Sequence, residues 1–200
     1  MNTVTLKGQP LQIRGVLPQP GANAPQFTLT GQSLVDVNLN HFAGKKKILN
    51  IVPSLDTSVC ATSARKFNAA VAGMTGIALI NISMDLPFAQ KRFCESERLE
   101  HITTLSAFRY PVFGVDYGVQ IADGPLAGLF ARAVLVLDEQ NIVRHVQLVP
   151  EIGQEPDYAA ALAAVRTPCL PCRIRRALLQ RRRSHLCLSM NTNVRPVGAS

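Results

Sequence analysis

One of the five cysteines in the chain, Cys60, lies in a local sequence suited to chemistry. An apolar run at 47–52 stops at Pro53, and a turn of small polar residues leads through Thr57 to Cys60, where a helical pattern opens. The first N–H groups of a helix have no acceptor within it, and the positive end of the macrodipole lies there. This position favours thiolate over thiol, so the sequence predicts a nucleophilic cysteine.

The composition is typical of a globular protein with a sizeable core, because the 200 residues are 47% hydrophobic and 17% charged. No apolar stretch reaches the roughly 18 to 20 residues that a membrane helix needs. Residues 1–8 lack the basic and then apolar order of a signal peptide. We therefore expect a cytoplasmic protein, and in that compartment disulfides are more often catalytic than structural.

The formal net charge of +8 comes from one end of the chain. Residues 1–165 contain 13 Lys or Arg and 13 Asp or Glu, whereas residues 166–200 contain eight Arg and no acidic residue. We predict a catalytic domain at 1–165 and a basic C-terminal extension at 166–200 that is poorly ordered and non-catalytic. Nucleic-acid binding is not expected of the domain; binding of the extension to nucleic acid or an anionic surface stays an alternative.

The predicted elements indicate an α/β domain. Hydrophobic periodicity predicts strands at 4–7, 11–14, 27–30, 35–39, 47–52, 77–83, 131–137 and 142–149. It predicts helices at 59–72, 86–99 and 156–165, and an irregular region with short helices at 101–130. This order favours a thioredoxin-like fold, in which a mixed central sheet is flanked by helices on both faces, with an N-terminal β-hairpin added.

The sequence resembles a known family at these same positions. Pro53-x-x-x-Thr57-x-x-Cys60 is similar to the peroxidatic motif of the peroxiredoxins. Three longer stretches resemble the thiol peroxidase branch, the atypical two-cysteine peroxiredoxins, namely 50–57, 83–94 and 122–132. The likeness extends across residues 1–165 and stops at the extension.

The resemblance implies a role for each matching residue. Cys60 corresponds to the peroxidatic cysteine, Cys94 to the resolving cysteine, and Arg132 to the arginine that holds thiolate and peroxide. Thr57 corresponds to the hydroxyl that orients the peroxide, and Pro53 to the ring that shields the sulfur. The implied activity is reduction of hydrogen peroxide and organic hydroperoxides by a homodimer that thioredoxin recycles, with no metal or other cofactor.

Two further expectations concern geometry. Thr57 is placed to cap the helix as well as to bind peroxide. A disulfide requires Cα atoms within about 7 Å, and cysteines on two separate helices are expected to start farther apart. We therefore expect local unwinding around Cys60 and around Cys94 when the disulfide forms.

Other readings of the sequence stay open or are set aside. A peroxide-sensing relay that passes oxidation to a partner, without rapid turnover, remains the alternative to an enzyme. Asp56 and Asp85 are expected to serve the turn and a helix cap rather than acid–base chemistry. The four histidines have no ligand spacing with one another.

Three cysteines fall in the extension. Cys169 and Cys172 have the spacing of a zinc half-site or a redox motif. A full zinc site needs two more ligands, and His185 and Cys187 are too closely spaced to supply them well. We therefore expect no metal there, and assign these cysteines no function.

Overall fold

The structure, a computed structural model, describes residues 2–167 of the chain. The strands are β1 (Thr3–Leu6), β2 (Gln9–Arg14), β3 (Thr28–Gly31), β4 (Asp36–Asn38), β5 (Lys46–Ile51), β6 (Ile77–Ser83), β7 (Ile102–Ser106), β8 (Gln120–Ile121), β9 (Ala133–Leu137) and β10 (Val143–Leu148). The helices are α1 (Ser58–Val71), α2 (Pro87–Ser96), α3 (Phe113–Asp116) and α4 (Tyr158–Arg166), with a 3₁₀ turn at Leu39–Phe42.

Seven strands form one mixed sheet in the order β10-β9-β5-β6-β7-β3-β4. The pairs β5–β6 and β6–β7 are parallel, and the other pairs in this sheet are antiparallel. The crossovers between the parallel strands contain α1 and α2. Both faces of β5 and β6 are covered, which explains why these two strands appear in the sequence as continuous apolar runs.

Helices cover both faces of this sheet. On one face, Ile48 of β5 and Leu79 of β6 pack with Phe67 of α1 and Val165 of α4. On the opposite face, the apolar cluster includes Phe113 of α3. The thioredoxin-like architecture predicted from the sequence is therefore confirmed.

Polar side chains place α2 on the same face of the sheet as α1. Asn50 of β5 donates from Nδ2 to Ser63 Oγ in α1 at 3.2 Å and to Asn81 Oδ1 in β6 at 2.7 Å. Ser83 lies two residues beyond Asn81 and so points to the same face. Its Oγ accepts a hydrogen bond from Gln90 Nε2 of α2 at 3.0 Å. The helices that carry Cys60 and Cys94 are thus neighbours.

The predicted N-terminal hairpin is also present. Strands β1 and β2 pair antiparallel, and β8 pairs with β2 to form a separate three-stranded sheet. One apolar cluster joins this sheet to the main domain, and its buried members are Val4, Leu11, Ile13, Ile121, Ala131 and Ile152.

The interpretation of 101–130 as irregular with short helices is wrong in part. The region does contain α3, but it also contributes β7 to the interior of the main sheet and β8 to the hairpin sheet. Strand β7 has the sequence Ile-Thr-Thr-Leu-Ser. Because three of its five residues are polar, hydrophobic periodicity does not predict an interior strand there. Thr104 and Ser106 are nevertheless buried. Contacts with neighbouring elements bury these residues, although the sequence pattern does not predict their burial.

Helix α4 ends at Arg166, one residue past the predicted domain boundary, and the described residues form one compact unit that ends at Thr167. The rest of the basic C-terminal extension, with Cys169, Cys172 and Cys187, lies outside the described residues. Within 2–167, none of the helices has both the length and the apolar character needed to cross a membrane.

Candidate active site

The site begins where β5 gives way to α1. Val52 continues the parallel pairing by donating its N–H to Ile82 O at 3.0 Å, and the buried Pro53 follows. Thr57 has extended backbone angles and occupies the N-cap position of α1, so Cys60 is the third residue of the helix. The thiol therefore lies in the first turn, as the sequence predicted, where the N–H groups lack acceptors within the helix.

Two donors from distant parts of the chain reach the Cys60 sulfur. Thr57 Oγ1 lies 2.7 Å from Sγ, and Arg132 Nη2 lies 3.3 Å from it. Cys60 itself has no exposed surface. A hydroxyl and a guanidinium group therefore both lie within hydrogen-bond distance of one buried sulfur.

The Thr57 hydroxyl has one proton and two acceptors within reach, because its oxygen also lies 3.2 Å from Ser54 O. When Cys60 is a thiolate, the hydroxyl donates to sulfur; when Cys60 is a thiol, the S–H donates to Thr57 and the hydroxyl can turn to Ser54. The side chain makes no capping hydrogen bond to the helix. The expected capping role of Thr57 is therefore wrong, since its hydroxyl is committed to the sulfur and to Ser54 instead.

Arg132 is the largest fully buried side chain in the described part of the chain, with 1% of its surface exposed. It immediately precedes β9, and the carbonyl of Ile152 accepts from both Nε at 3.3 Å and Nη2 at 3.2 Å. These bonds orient the guanidinium towards Cys60. Its remaining nitrogen, Nη1, is buried and has no hydrogen-bond partner among residues 2–167.

A carboxylate supports the loop in front of Cys60. Asp85 Oδ1 accepts from Ser54 Oγ at 2.7 Å, and Asp85 Oδ2 accepts from the N–H of Leu55 at 2.7 Å and from Ser83 Oγ at 2.8 Å. Ser83 also binds Gln90 of α2, so this network links the loop to the neighbouring helix. Asp85 serves the turn, as expected, and has no acid–base partner in these contacts.

Cys94 has different surroundings. It lies near the end of α2 on the buried face that also contains Gln90, and its hydrogen-bond partners are the side chains of Thr104 and Gln32. Burial raises the pKa of the Cys94 thiol, and these two hydrogen bonds only partly oppose that effect. Cys94 is therefore a neutral thiol over a wider pH range than an exposed cysteine.

The two sulfurs are not bonded to each other, since Cys60 and Cys94 are both free thiols. Phe93, the neighbour of Cys94 in α2, packs against the apolar cluster that contains Cys60, Val52 and Leu55. Helix α2 therefore presents an aromatic ring to the surroundings of Cys60, while Cys94 binds Thr104 and Gln32. No group of three or more His, Cys, Asp or Glu side chains within 2–167 is arranged to hold a metal ion.

Comparison with known proteins agrees with this geometry. The family model described as Redoxin matches residues 19–162, well over half of the chain. The chain belongs to the Redoxin family. A curated relative, the thiol peroxidase of Leptospira interrogans serogroup Icterohaemorrhagiae serovar copenhageni (strain Fiocruz L1-130), is 51% identical to this redoxin over 166 residues, which cover 82% of this chain and 97% of the relative.

Solved structures agree as well. A peroxiredoxin-like protein from Aquifex aeolicus superimposes with a TM-score of 0.77 at 42% identity, covering 82% of this chain and 96% of that one. A thiol peroxidase from Chromobacterium violaceum has a TM-score of 0.75 at 23% identity, covering 91% and 98%, and bears on the fold alone. This redoxin is a thiol peroxidase, an oxidoreductase that reduces peroxides in a thiol-dependent reaction.

The sequence predicted that Cys60, Thr57 and Arg132 lie together, and the structure places them in contact. The sequence did not predict the contacts that orient them. The carbonyl of Ile152, which orients Arg132, carries no side-chain signal and comes 20 residues later in the chain. Ser63 Oγ donates to the Cys60 carbonyl at 2.9 Å and accepts from Asn50, which fixes the first turn of α1 to the sheet. The only sequence signal for this contact is a polar residue inside an apolar strand.

Proposed function

We propose that Cys60 is the peroxidatic cysteine of this redoxin and that Thr57 and Arg132 act on its sulfur and on the peroxide. The observation that carries the proposal is that two donors, from the N-cap of α1 and from the start of β9, reach one buried sulfur. The unpartnered Arg132 Nη1 supports a further contact to a peroxide oxygen. We propose that the ring of Pro53, which is buried, shields the sulfur from bulk water.

In the first step the Cys60 thiolate attacks the terminal oxygen of a hydroperoxide, ROOH, which is the one that bears hydrogen. A new S–O bond forms, the O–O bond breaks, and the leaving alkoxide takes up a proton to become ROH, leaving a sulfenic acid. Negative charge moves from sulfur to the leaving oxygen, so donors fixed near both atoms stabilise the transition state. Thr57 and Arg132 are placed to donate throughout.

In the second step we propose that Cys94 is the resolving cysteine. Its sulfur attacks the Cys60 sulfenic acid, an S–S bond forms and water leaves. The Phe93 ring packs against the Cys60 cluster, so α2 must turn or unwind before the two sulfurs can meet. We therefore expect amide hydrogen exchange to be faster in the first turn of α1 and in α2 of the oxidised protein; identical protection in both redox states would contradict this step.

Recycling of the disulfide needs two electrons from a dithiol, and we propose thioredoxin as the donor. The dithiol is oxidised to a disulfide while Cys60 and Cys94 return to thiols. A reductant of this kind operates in a reducing compartment, which supports a cytoplasmic location.

We propose that the functional unit is a homodimer. An apolar groove lies beside the start of α2, and several large apolar side chains around it are exposed, namely Leu34, Leu86, Phe88 and Phe108. Exposed apolar surface of this kind is typical of a protein interface. Light scattering coupled to size-exclusion chromatography tests the proposal, and Phe88→Ser is expected to shift the protein towards monomer.

We propose that catalysis resides in residues 1–165 and that the basic extension at 166–200 is not needed for it. Every side chain assigned a step above lies between Pro53 and Arg132. Deleting residues 168–200 should leave the rate of peroxide consumption unchanged, whereas a loss of turnover would assign the extension a catalytic role.

One experiment tests the assignment of both cysteines. Wild-type protein and Cys94→Ser receive one equivalent of hydrogen peroxide, and intact and peptide mass spectrometry then locate the oxidised sulfur. We expect a Cys60–Cys94 disulfide in the wild type and one added oxygen on Cys60 in the variant. Oxidation confined to another sulfur would refute the proposal.

A further inference from the structure

The N-terminal hairpin pairs with the loop that follows β10. The N–H of Thr5 donates to Pro150 O at 2.7 Å, and the N–H of Ile152 donates to Thr5 O at 2.9 Å. Thr5 of β1 and Glu151 thus form an isolated parallel bridge in addition to the strand pairs of the two sheets. Ile152, whose carbonyl accepts from the Arg132 guanidinium, is therefore held to the hairpin through its own N–H.

The side chain of Glu151 adds a second connection. Its Oε2 accepts from Thr5 Oγ1 at 2.7 Å and from the N–H of Gly8 at 3.2 Å. Its Oε1 accepts from the N–H of Lys7 at 3.0 Å and from that of Gly153 at 3.2 Å. These contacts, with the Thr5 hydroxyl as the largest cause, lower the pKa of Glu151 to about 2. The carboxylate is therefore ionised throughout the neutral pH range.

The turn of the hairpin is shaped to receive this carboxylate. Lys7 and Gly8 both have positive φ, 51° and 78°, as in the tight turns that suit the twist of a β-hairpin. Their two successive N–H groups converge on Glu151. The turn thus uses its free donors to bind a loop 144 residues away in the chain.

Apolar packing also joins the hairpin to the two segments that position Arg132. Val4 and Ile13 of the hairpin belong to the same buried cluster as Ile152 and Ala131, the residue before Arg132. Both segments that determine the position of the guanidinium therefore rest on the hairpin.

We propose that Glu151 is a positioning residue for peroxide reduction. By holding the hairpin turn to the 150–153 loop, it keeps the Ile152 carbonyl where it orients Arg132 towards Cys60. The N-terminal hairpin then stabilises the position of Arg132 in the active site. This inference rests on the roles proposed above for Cys60 and Arg132.

The test uses Glu151→Gln in the full chain, with Asp123→Asn as the matched control. Gln retains one acceptor oxygen and replaces the other with an amide that donates, so two of the four hydrogen bonds are lost. Asp123 Oδ1 also anchors the hairpin, through the N–H of Gln12 at 2.9 Å, but the Asp123 side chain has no hydrogen bond to the 150–153 loop.

Glu151→Gln is expected to slow the oxidation of Cys60 by hydrogen peroxide about tenfold in stopped-flow measurements, because a fixed donor is displaced. The later step from sulfenic acid to disulfide should keep its wild-type rate in Glu151→Gln, a split between the two steps that a loss of stability alone does not produce. Asp123→Asn should change the oxidation rate by less than about twofold. Circular dichroism and thermal unfolding show whether each variant is folded.

Two results would overturn the inference: wild-type kinetics in Glu151→Gln, or an equal loss in Asp123→Asn, which would indicate general loosening of the hairpin. Should Glu151→Gln fail to fold, Thr5→Val removes the shortest of the four bonds and keeps the backbone pairing. It should produce a smaller change of the same sign, and an unchanged rate would reject the proposal. If wild-type Cys60 does not react with peroxide, the assignment of Cys60 fails instead.

Discussion

The two cysteines of the described domain lie on neighbouring helices but in opposite chemical settings. The Cys60 sulfur is contacted by the Thr57 hydroxyl and by the positively charged guanidinium of Arg132. Cys94 has two neutral side chains, Thr104 and Gln32, and burial raises its pKa. Both thiols are buried, so burial alone does not distinguish them. The donors around each sulfur make the difference.

In the mechanism proposed above, this contrast sets the order of the two steps. The cysteine with a cationic donor is prepared to attack first, whereas the other is kept neutral and unreactive towards peroxide. In that mechanism Cys94 reacts with a more reactive partner, the sulfenic acid proposed for Cys60. The proposed disulfide would therefore join two thiols whose electrostatic surroundings differ.

The largest effects are expected from removing each sulfur in turn. Cys60→Ser should abolish peroxide reduction, because no other described thiol has a cationic donor. Cys94→Ser should retain one oxidation per molecule and lose turnover with thioredoxin and its reductase. A coupled assay measures turnover, and stopped-flow measures the first oxidation. Normal cycling by Cys94→Ser would show that resolution occurs elsewhere.

Replacing the cationic donor should have the next largest effect. Arg132→Lys keeps the charge but cannot bind the Cys60 sulfur and the Ile152 carbonyl with one planar group. We expect the rate of Cys60 oxidation to fall about 100-fold, the usual cost of losing a fixed donor at a developing charge. Arg65→Lys is the control, because Arg65 forms an exposed ion pair with Glu97. Equal rates in wild type and Arg132→Lys would mean that charge without geometry suffices.

A smaller effect is expected from the carboxylate that supports the Cys60 loop. Asp85→Asn retains only one of the two acceptor oxygens that bind Ser54, Leu55 and Ser83. Leaving a partly buried donor without an acceptor should lower the free energy of unfolding by about 1–3 kcal/mol. Loosening the loop should slow Cys60 oxidation about tenfold. Urea unfolding and stopped-flow measure the two quantities.

The control for Asp85→Asn is Asp56→Asn, on the same loop. Asp56 is exposed, and its backbone N–H rather than its carboxylate takes part in the loop contacts. Asp56→Asn should have the same free energy of unfolding and the same rate of Cys60 oxidation as the wild type. If both variants lose activity to the same extent, the carboxylate of Asp85 has no special role.

The sequence was informative where the determining contacts are local. The strand, the turn and the first helical turn around Cys60 are consecutive in the chain, so propensity and spacing sufficed to place the thiol. The β5–α1–β6 order and the final β-hairpin with α4 were equally clear. These elements give strong periodic signals because each buries a regular face.

Long-range contacts account for what the sequence did not predict. Strand β7 is polar in sequence and is recognised as a strand only by its neighbours β6 and β3. The Thr57 hydroxyl turned to the sulfur because Cys60 offers a nearby acceptor, and the helix therefore lost a side-chain cap. The Ile152 carbonyl and the Glu151 carboxylate act through contacts that span 20 and 146 residues, which no local pattern encodes.

The smallest effect in the comparison should come from the resolving side. Hydrogen bonds from Thr104 and Gln32 lower the pKa of Cys94 and so oppose the larger effect of burial. Thr104→Val removes one of them with little change in shape and should raise that pKa further. Less thiolate would then be present at neutral pH, but the remaining thiolate is more nucleophilic, so disulfide formation should slow only about threefold.

The pH dependence gives this prediction its sign. Because the thiolate of Cys94 accumulates only as pH approaches its raised pKa, the step from sulfenic acid to disulfide should accelerate as pH rises, and the Thr104→Val profile should lie at higher pH than that of the wild type. Rapid quenching followed by mass spectrometry measures this step, and the first oxidation of Cys60 serves as the internal control. Slower oxidation of Cys60 in Thr104→Val would mean that the two thiols are not electrostatically separate, since a change beside Cys94 would then have reached the other sulfur.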